Sequence, residues 1–143
     1  MNQAFSCEPI LRLLPEWFGI ESAIVHYIQE IDLLPTLLAY SQKQTTGFLT
    51  LKQHNEFAAE IYVMAVHPKF HRQGIGQQLV EAAEAELQKL GIEYLQVKTL
   101  GPSKQDPNYA KTRKFYESVG FKPLEEFLTL WGKNPCLQMV KRL

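Results

Sequence analysis

The apolar and polar positions are patterned most regularly between Ala58 and Leu90, where they predict a strand, a glycine turn and a helix in succession. The segment Ile61–Val66 is apolar and mostly β-branched or aromatic, as is typical of a strand. From Ile75 onward, apolar residues recur at helical spacing, which predicts an amphipathic helix that ends near Gly91. The turn between the two elements has the sequence His71-Arg72-Gln73-Gly74-Ile75-Gly76.

The rest of the chain has the patterns of further helices and strands. We expect a short strand over Met1–Cys7, helices over Pro9–Leu14, Ile20–Asp32 and Pro107–Val119, and strands over Thr36–Ser41, Thr46–His54, Tyr94–Leu100, Lys122–Leu130 and Leu137–Arg142. Asp106 precedes Pro107 as a helix N-cap, and Gly120 follows the same helix. This order predicts an α+β fold, a single domain over residues 1–143 with a mixed central sheet flanked by helices.

The glycine turn has the features of an anion site. Two glycines at a helix start leave main-chain N–H groups uncovered, and the helix dipole adds positive charge there, which suits phosphate or pyrophosphate. The dinucleotide-binding fingerprint is excluded because Leu79 stands where its third glycine is needed, and no Gly-Lys-Ser/Thr follows for a Walker loop. The alternative is a simple turn between a core strand and a core helix.

The composition is that of a globular domain and narrows the possible partners. The chain has 143 residues, 45% hydrophobic and 21% charged, with fifteen basic and fifteen acidic residues, so no basic field exists to hold nucleic acid. No apolar run reaches membrane length, and Met1–Cys7 lacks a signal-peptide core. Cys7 and Cys136 match no metal spacing and neither do the four histidines, so we expect a reduced, cytoplasmic protein without a metal site.

Two motifs together resemble the GNAT superfamily of N-acetyltransferases. One is the glycine turn, since the family's loop has the pattern Arg/Gln-x-x-Gly-x-Gly/Ala; Gly74 and Gly76 fit it, while His71 stands at the Arg/Gln position. The other is the later helix with Lys114-Phe115-Tyr116-Glu117, followed by Gly120-Phe121. The resemblance covers most of the chain in element order, and it implies one N-acetyltransferase domain over residues 1–143.

The resemblance implies acetyl-CoA as co-substrate. In that interpretation His71 and the main-chain amides of Arg72, Gln73, Gly74, Ile75, Gly76 and Gln77 belong to the pyrophosphate-binding loop. Met64 and Val66 pair through their backbones with the pantetheine arm, and the Met64 N–H points at the thioester carbonyl. Strand alternation gives Glu60, Met64 and Val66 one face and Ile61 and Val63 the other.

The resemblance also implies two catalytic residues. The attacking amine must be neutral, and Glu60 is the candidate base, acting directly or through water. Tyr116 is the candidate acid that protonates the departing thiolate. The alternatives are that Glu60 is a solvated or ion-paired strand residue and that Tyr116 is a core aromatic.

The sequence indicates the binding site of the acceptor amine less specifically than the acetyl-CoA site. The resemblance assigns the acceptor cleft to the loops Glu16–Gly19 and Trp131–Asn134, although Trp17 and Phe18 have packing under the helices as the alternative. We expect a small-molecule or peptide amine as acceptor and direct attack without an acetyl-cysteine, and a homodimer is left open as the assembly. The rival hypotheses are a non-catalytic acyl-CoA sensor on the same fold, and an interaction protein that uses Trp17 and Trp131.

Overall fold

A computed structural model describes residues 3–143 as a six-stranded mixed sheet with helices. The elements are α1 (Ala4–Arg12), α2 (Glu21–Ile31), β1 (Thr36–Ser41), β2 (Gln44–Gln53), β3 (Ala58–Val66), a 3₁₀ turn (Pro68–Phe70), α3 (Ile75–Lys89), β4 (Tyr94–Leu100), α4 (Pro107–Ser118), β5 (Lys122–Trp131) and β6 (Asn134–Arg142). The strand order is β1-β2-β3-β4-β6-β5. The predicted α+β class, a single-domain GNAT-like fold with a mixed central sheet flanked by helices, is confirmed.

The parallel pair in this sheet is β3 with β4. Its register joins Ala58–Ile61 to Tyr94–Val97, which is only the first four of the nine residues of β3. Strands β4 and β6 pair antiparallel from Tyr94↔Arg142 to Leu100↔Cys136, and β5 pairs antiparallel with β6. The last five residues of β3 therefore lie outside its register with β4.

The chain forms two compact units. The first comprises the residues up to Lys52 together with Tyr62–Glu86. Its core joins Ile10 and Leu11 of α1 to Phe48 and to Val63 of β3. In the same unit a Cβ at Gly47 would stand 3.2 Å from the Ala65 carbonyl oxygen and 3.2 Å from the Ile75 side chain, so glycine permits α3 to approach β2 closely.

The second unit comprises Gln53–Ile61 and Leu87–Leu143. Its core contains Leu95, Phe121 and Met139, each 0–2% exposed. The helix start predicted at Asp106 is confirmed, because its carboxylate accepts hydrogen bonds from the N–H groups of Asn108 and Tyr109.

The first predicted strand is wrong where the structure describes it. Residues Ala4–Cys7 begin helix α1 instead, and Met1 and Asn2 lie outside the described residues. Pro9, expected at a helix start, lies inside that helix. The apolar spacing continues upstream through Cys7 and Ala4, both buried, and their packing outweighs the hydrogen bond that proline cannot make. No helix within residues 3–143 is long and apolar enough to cross a membrane.

Candidate functional site

The glycine loop, His71–Gln77, lies in the first unit and has a special backbone. Arg72 has φ 63° and Gly74 has φ 78°, so two residues of this loop are left-handed. Nothing stands within 4 Å of the position that a Cβ on Gly74 would occupy. Backbone conformation therefore favours glycine at position 74, and the space over it is open.

Helix α3 begins inside this loop and leaves donors there. The Gln78 N–H donates to the Gly74 carbonyl at 3.0 Å and starts the helical ladder. The N–H groups of Ile75, Gly76 and Gln77 precede that first bond, so they have no acceptor within the helix. The side chain of Gln77 donates a hydrogen bond to Glu81 at 3.0 Å.

The loop is fixed at its beginning by His71. Its Nε2 lies 2.7 Å from the Val66 carbonyl oxygen at the end of β3. The indole of Trp17 lies edge-on to the His71 ring, with centroids 6.4 Å apart. The imidazole at the position where the family has Arg or Gln thus joins the strand end and the loop between α1 and α2.

Strand β3 has the predicted alternation. Ile61, Val63 and Ala65 are buried, while Met64 and Val66 are half-buried on the other face. Glu60 is not a solvated residue, one of the two forms of its alternative, because it is only 8% exposed. A nearly buried carboxylate requires partners, and two are present.

Glu60 forms a cluster with His54 and Lys98, all in the second unit. Its Oε1 lies 2.7 Å from Nε2 of His54, and the Lys98 ammonium lies 3.2 Å from Oε2 and 3.3 Å from Oε1. We call this arrangement the carboxylate cluster. It supports the ion-paired alternative for Glu60, and an ion-paired carboxylate can still take part in proton transfer. His54 and Lys98 were not predicted as site residues.

A tight turn brings His54 to Glu60. The Asn55 side chain accepts hydrogen bonds from the N–H groups of Phe57 and Ala58, and the His54 N–H donates to the Ala58 carbonyl. An asparagine that folds back in this way is typical of a turn, and it was the only local signal. Lys98 follows from the strand register, since Glu60 pairs with Gln96 and alternation turns Lys98 to the same face.

Cys136 is electrostatically linked to the cluster. Burial raises the pKa of this thiol, the Lys98 ammonium acts in the opposite direction, and the Glu60 carboxylate adds to the increase. Burial likewise raises the pKa of Cys7, with help from Asp32, to about 12. Both thiols are fully buried, and their raised pKa values keep them protonated near neutral pH.

Tyr116 lies in α4 of the second unit and is 7% exposed. Its ring packs against Phe115 at 5.5 Å and Phe121 at 5.7 Å between centroids, and its carbonyl accepts a hydrogen bond from the Phe121 N–H. Gly120, with φ 103°, makes this reversal possible. The Tyr-x-x-x-Gly-Phe segment is therefore a packed corner that fixes the tyrosine.

The aromatics expected to line an acceptor cleft differ in burial. Trp17 and Phe18 pack against the core of the first unit, as their alternative held. Trp131 is 42% exposed. A cavity of about 320 Å³ in the second unit is lined by none of the predicted site residues; its lining is Tyr94, Gly120, Lys122, Val140, Lys141 and Arg142.

The structure thus groups the predicted site residues by unit. Met64, Val66 and the glycine loop belong to the first unit, and Glu60 and Tyr116 belong to the second. Within residues 3–143, no group of three or more His, Cys, Asp or Glu side chains could hold a metal ion.

The sequence and the fold both match known proteins. Residues 33–123 match the family model of the acetyltransferase (GNAT) domain, whereas no curated protein matches the sequence. A GNAT-family protein from Desulfovibrio desulfuricans has the same fold, with a TM-score of 0.83 at 17% identity over 98% of this chain and 92% of that one.

Two further solved structures share the fold. One is an aminoglycoside 6′-N-acetyltransferase complexed with coenzyme A, with a TM-score of 0.75, 19% identity and coverage of 99% of this chain and 92% of that one. The other is the ribosomal-protein-S18-alanine N-acetyltransferase from Escherichia coli, with a TM-score of 0.77, 18% identity and coverage of 99% and 88%.

Proposed function

The chain belongs to the GNAT acetyltransferase family, and we therefore propose that it transfers an acetyl group from acetyl-CoA, its co-substrate, to a primary amine of a small molecule or peptide. The transfer proceeds by direct attack of the amine on the thioester. The predictions of a cytoplasmic location, of possible homodimers and of one N-acetyltransferase domain over residues 1–143 accompany this proposal and stay predictions.

The glycine loop is the observation that carries the proposal. The N–H groups of Ile75, Gly76 and Gln77 precede the Gln78 N–H, which is the first donor of the helical ladder, and Gly74 adds no side chain above them. A diphosphate fits such a cradle, because it presents several anionic oxygens to main-chain donors at a positive helix end. Met64 and Val66 then supply main-chain groups for the pantetheine arm, and the Met64 N–H donates to the thioester carbonyl.

Tyr116 and Glu60 are the acid–base groups of the proposal. The Tyr116 hydroxyl donates a proton to the departing thiolate, and its packed ring reduces the entropy lost in orienting that hydroxyl. The Glu60 carboxylate promotes removal of the proton from the amine, either directly or through another group. Two of the related folds have names that state an N-acetylated acceptor, an aminoglycoside in one and a ribosomal-protein alanine in the other, which supports an amine without identifying it.

A turnover screen tests the function. Acetyl-CoA is offered with classes of amine, namely polyamines, amino acids, aminoglycosides, peptide N-termini and lysine peptides, and released thiol is measured. We expect thiol release with at least one class. Calorimetric binding of CoA without thiol release from any amine would instead support the sensor hypothesis, and no CoA binding would support the interaction protein.

Substitution of Tyr116 by phenylalanine tests the assigned acid. Tyr116→Phe should lower kcat by roughly 10²-fold or more with little change in CoA affinity, since only the hydroxyl is removed. Tyr40→Phe is the matched control, because Tyr40 is 63% exposed on β1. Unchanged turnover of Tyr116→Phe across the pH profile would remove the role of Tyr116.

A further inference from the structure

The carboxylate cluster contains one basic atom that is still open to a ligand. Both oxygens of Glu60 already have a cationic or N–H partner, and its side chain is only 10% exposed. The side chain of His54 is 33% exposed, and its ring contacts Glu60 through Nε2. Within residues 3–143, no hydrogen-bond partner contacts Nδ1 of His54.

The bond to Glu60 decides which tautomer His54 adopts. A carboxylate is only an acceptor, so Nε2 must carry the proton that it shares with Glu60. A neutral imidazole then has its lone pair on Nδ1, the atom that faces away from the carboxylate. Lys98 supports this state, because its ammonium stabilises the negative charge on Glu60.

From this geometry we propose that Nδ1 of His54 takes the proton from the acceptor amine, while Glu60 is a positioning residue that orients the ring and compensates the imidazolium charge. The inference rests on the proposed function. The atom that takes the proton from the amine then belongs to a side chain in the turn between β2 and β3. Imidazole suits this task because its charge changes nearest to neutral pH.

The two protons that the amine loses in the reaction go to two different groups. An ammonium that becomes an amide nitrogen loses two protons while a C–N bond forms and the C–S bond breaks. One proton passes to Nδ1 of His54 and from the imidazolium to solvent. The other replaces the proton that the Tyr116 hydroxyl gives to the sulfur, so the tyrosine is restored and one proton is released per turnover.

The groups that face this centre are few and come from separate elements. Glu60 lies on β3, Lys98 on β4 and the buried thiol of Cys136 on β6. The thiol stays neutral near pH 7, so it adds no charge there.

The first experiment separates a base from a structural hydrogen-bond donor. The glutamine in His54→Gln keeps an N–H for Glu60 but has no nitrogen that takes a proton. We expect kcat to fall by roughly 10²-fold or more, with KM for the amine changed less than about threefold. His26→Gln is the matched control, since His26 is an exposed histidine on α2.

A second experiment uses chemical rescue. His54→Ala leaves room at a partly exposed position, and added imidazoles should restore turnover in the order of their basicity. Restoration that is independent of imidazole basicity would indicate a filled cavity and would overturn the proposal. Full activity of His54→Gln would overturn it as well.

A third readout needs no turnover. Nitrogen NMR of the folded wild-type protein should show His54 with Nε2 protonated and Nδ1 bare above neutral pH, and Glu60→Gln should weaken this preference. A wild-type His54 with protonated Nδ1 would overturn the inference even if the enzyme acetylates amines. Failure of every amine in the wild-type screen would overturn the proposed function itself, whatever tautomer is found.

Discussion

The glycine loop and the carboxylate cluster present their chemistry in opposite ways. The loop uses main-chain N–H groups of consecutive residues, arranged by the left-handed Gly74 and by the start of α3. The cluster uses three side chains, and Glu60 and Lys98 are 38 residues apart in sequence. The loop should therefore depend on backbone conformation and tolerate side-chain changes, whereas the cluster should depend on each of its side chains.

The largest expected effect tests the backbone dependence of the loop. Gly74→Val places a β-branched residue at φ 78°, so we expect CoA binding to weaken roughly 10- to 100-fold because the loop must change conformation. The space around the added Cβ is open, so a clash does not contribute. Calorimetric titration with CoA measures the effect.

Gly74→Asn is the matched variant for that experiment. Asparagine adopts left-handed conformations far more readily than valine, so it should keep most of the affinity. Equal losses in the two variants would show that an added side chain, rather than backbone conformation, disturbs binding.

The second effect tests the side-chain dependence of the cluster. Lys98→Met keeps the aliphatic length but leaves the nearly buried Glu60 without its ammonium. We expect the free energy of unfolding to fall by about 1–3 kcal/mol at pH 7, measured by urea denaturation. The double variant with Glu60→Gln should recover part of this loss, and additive losses would contradict the coupling.

The two regions also differ in how far the sequence predicts them. The loop, the start of α3 at Ile75 and the bounds of β4 follow from local apolar spacing and glycine positions, and all three agree with the structure. The cluster depends on the register Glu60↔Gln96, which no local pattern contains. The first turn of α1, Ala4–Cys7, was missed because Pro9 marked a helix start, whereas the burial of Ala4 and Cys7 in the core extends the helix upstream of the proline.

The third effect compares the buried thiols of the two units at alkaline pH. Burial and Asp32 raise the pKa of Cys7 to about 12, so the folded protein keeps a proton that the unfolded chain loses near pH 9. This contribution to stability is complete below pH 9 and is lost as the pH rises toward 12. The urea midpoint should fall over that range, and less steeply in Cys7→Ala.

Cys136 should contribute to the same decline, because burial raises its pKa as well. Lys98 acts against that increase, so Cys136→Ala should flatten the alkaline decline less than Cys7→Ala does. The reverse order in urea denaturation between pH 8 and 11 would contradict this ranking of the two thiols.

The smallest expected effect returns to the loop. Gln73 is exposed and lies between the left-handed residues Arg72 and Gly74. If its main-chain N–H is what contacts the diphosphate, Gln73→Ala should change CoA affinity by less than about twofold, because alanine keeps that N–H. A loss near that of Gly74→Val would mean that the side chain at position 73 contacts the ligand. The division between a loop that binds through its backbone and a cluster that acts through its side chains would then fail at this position.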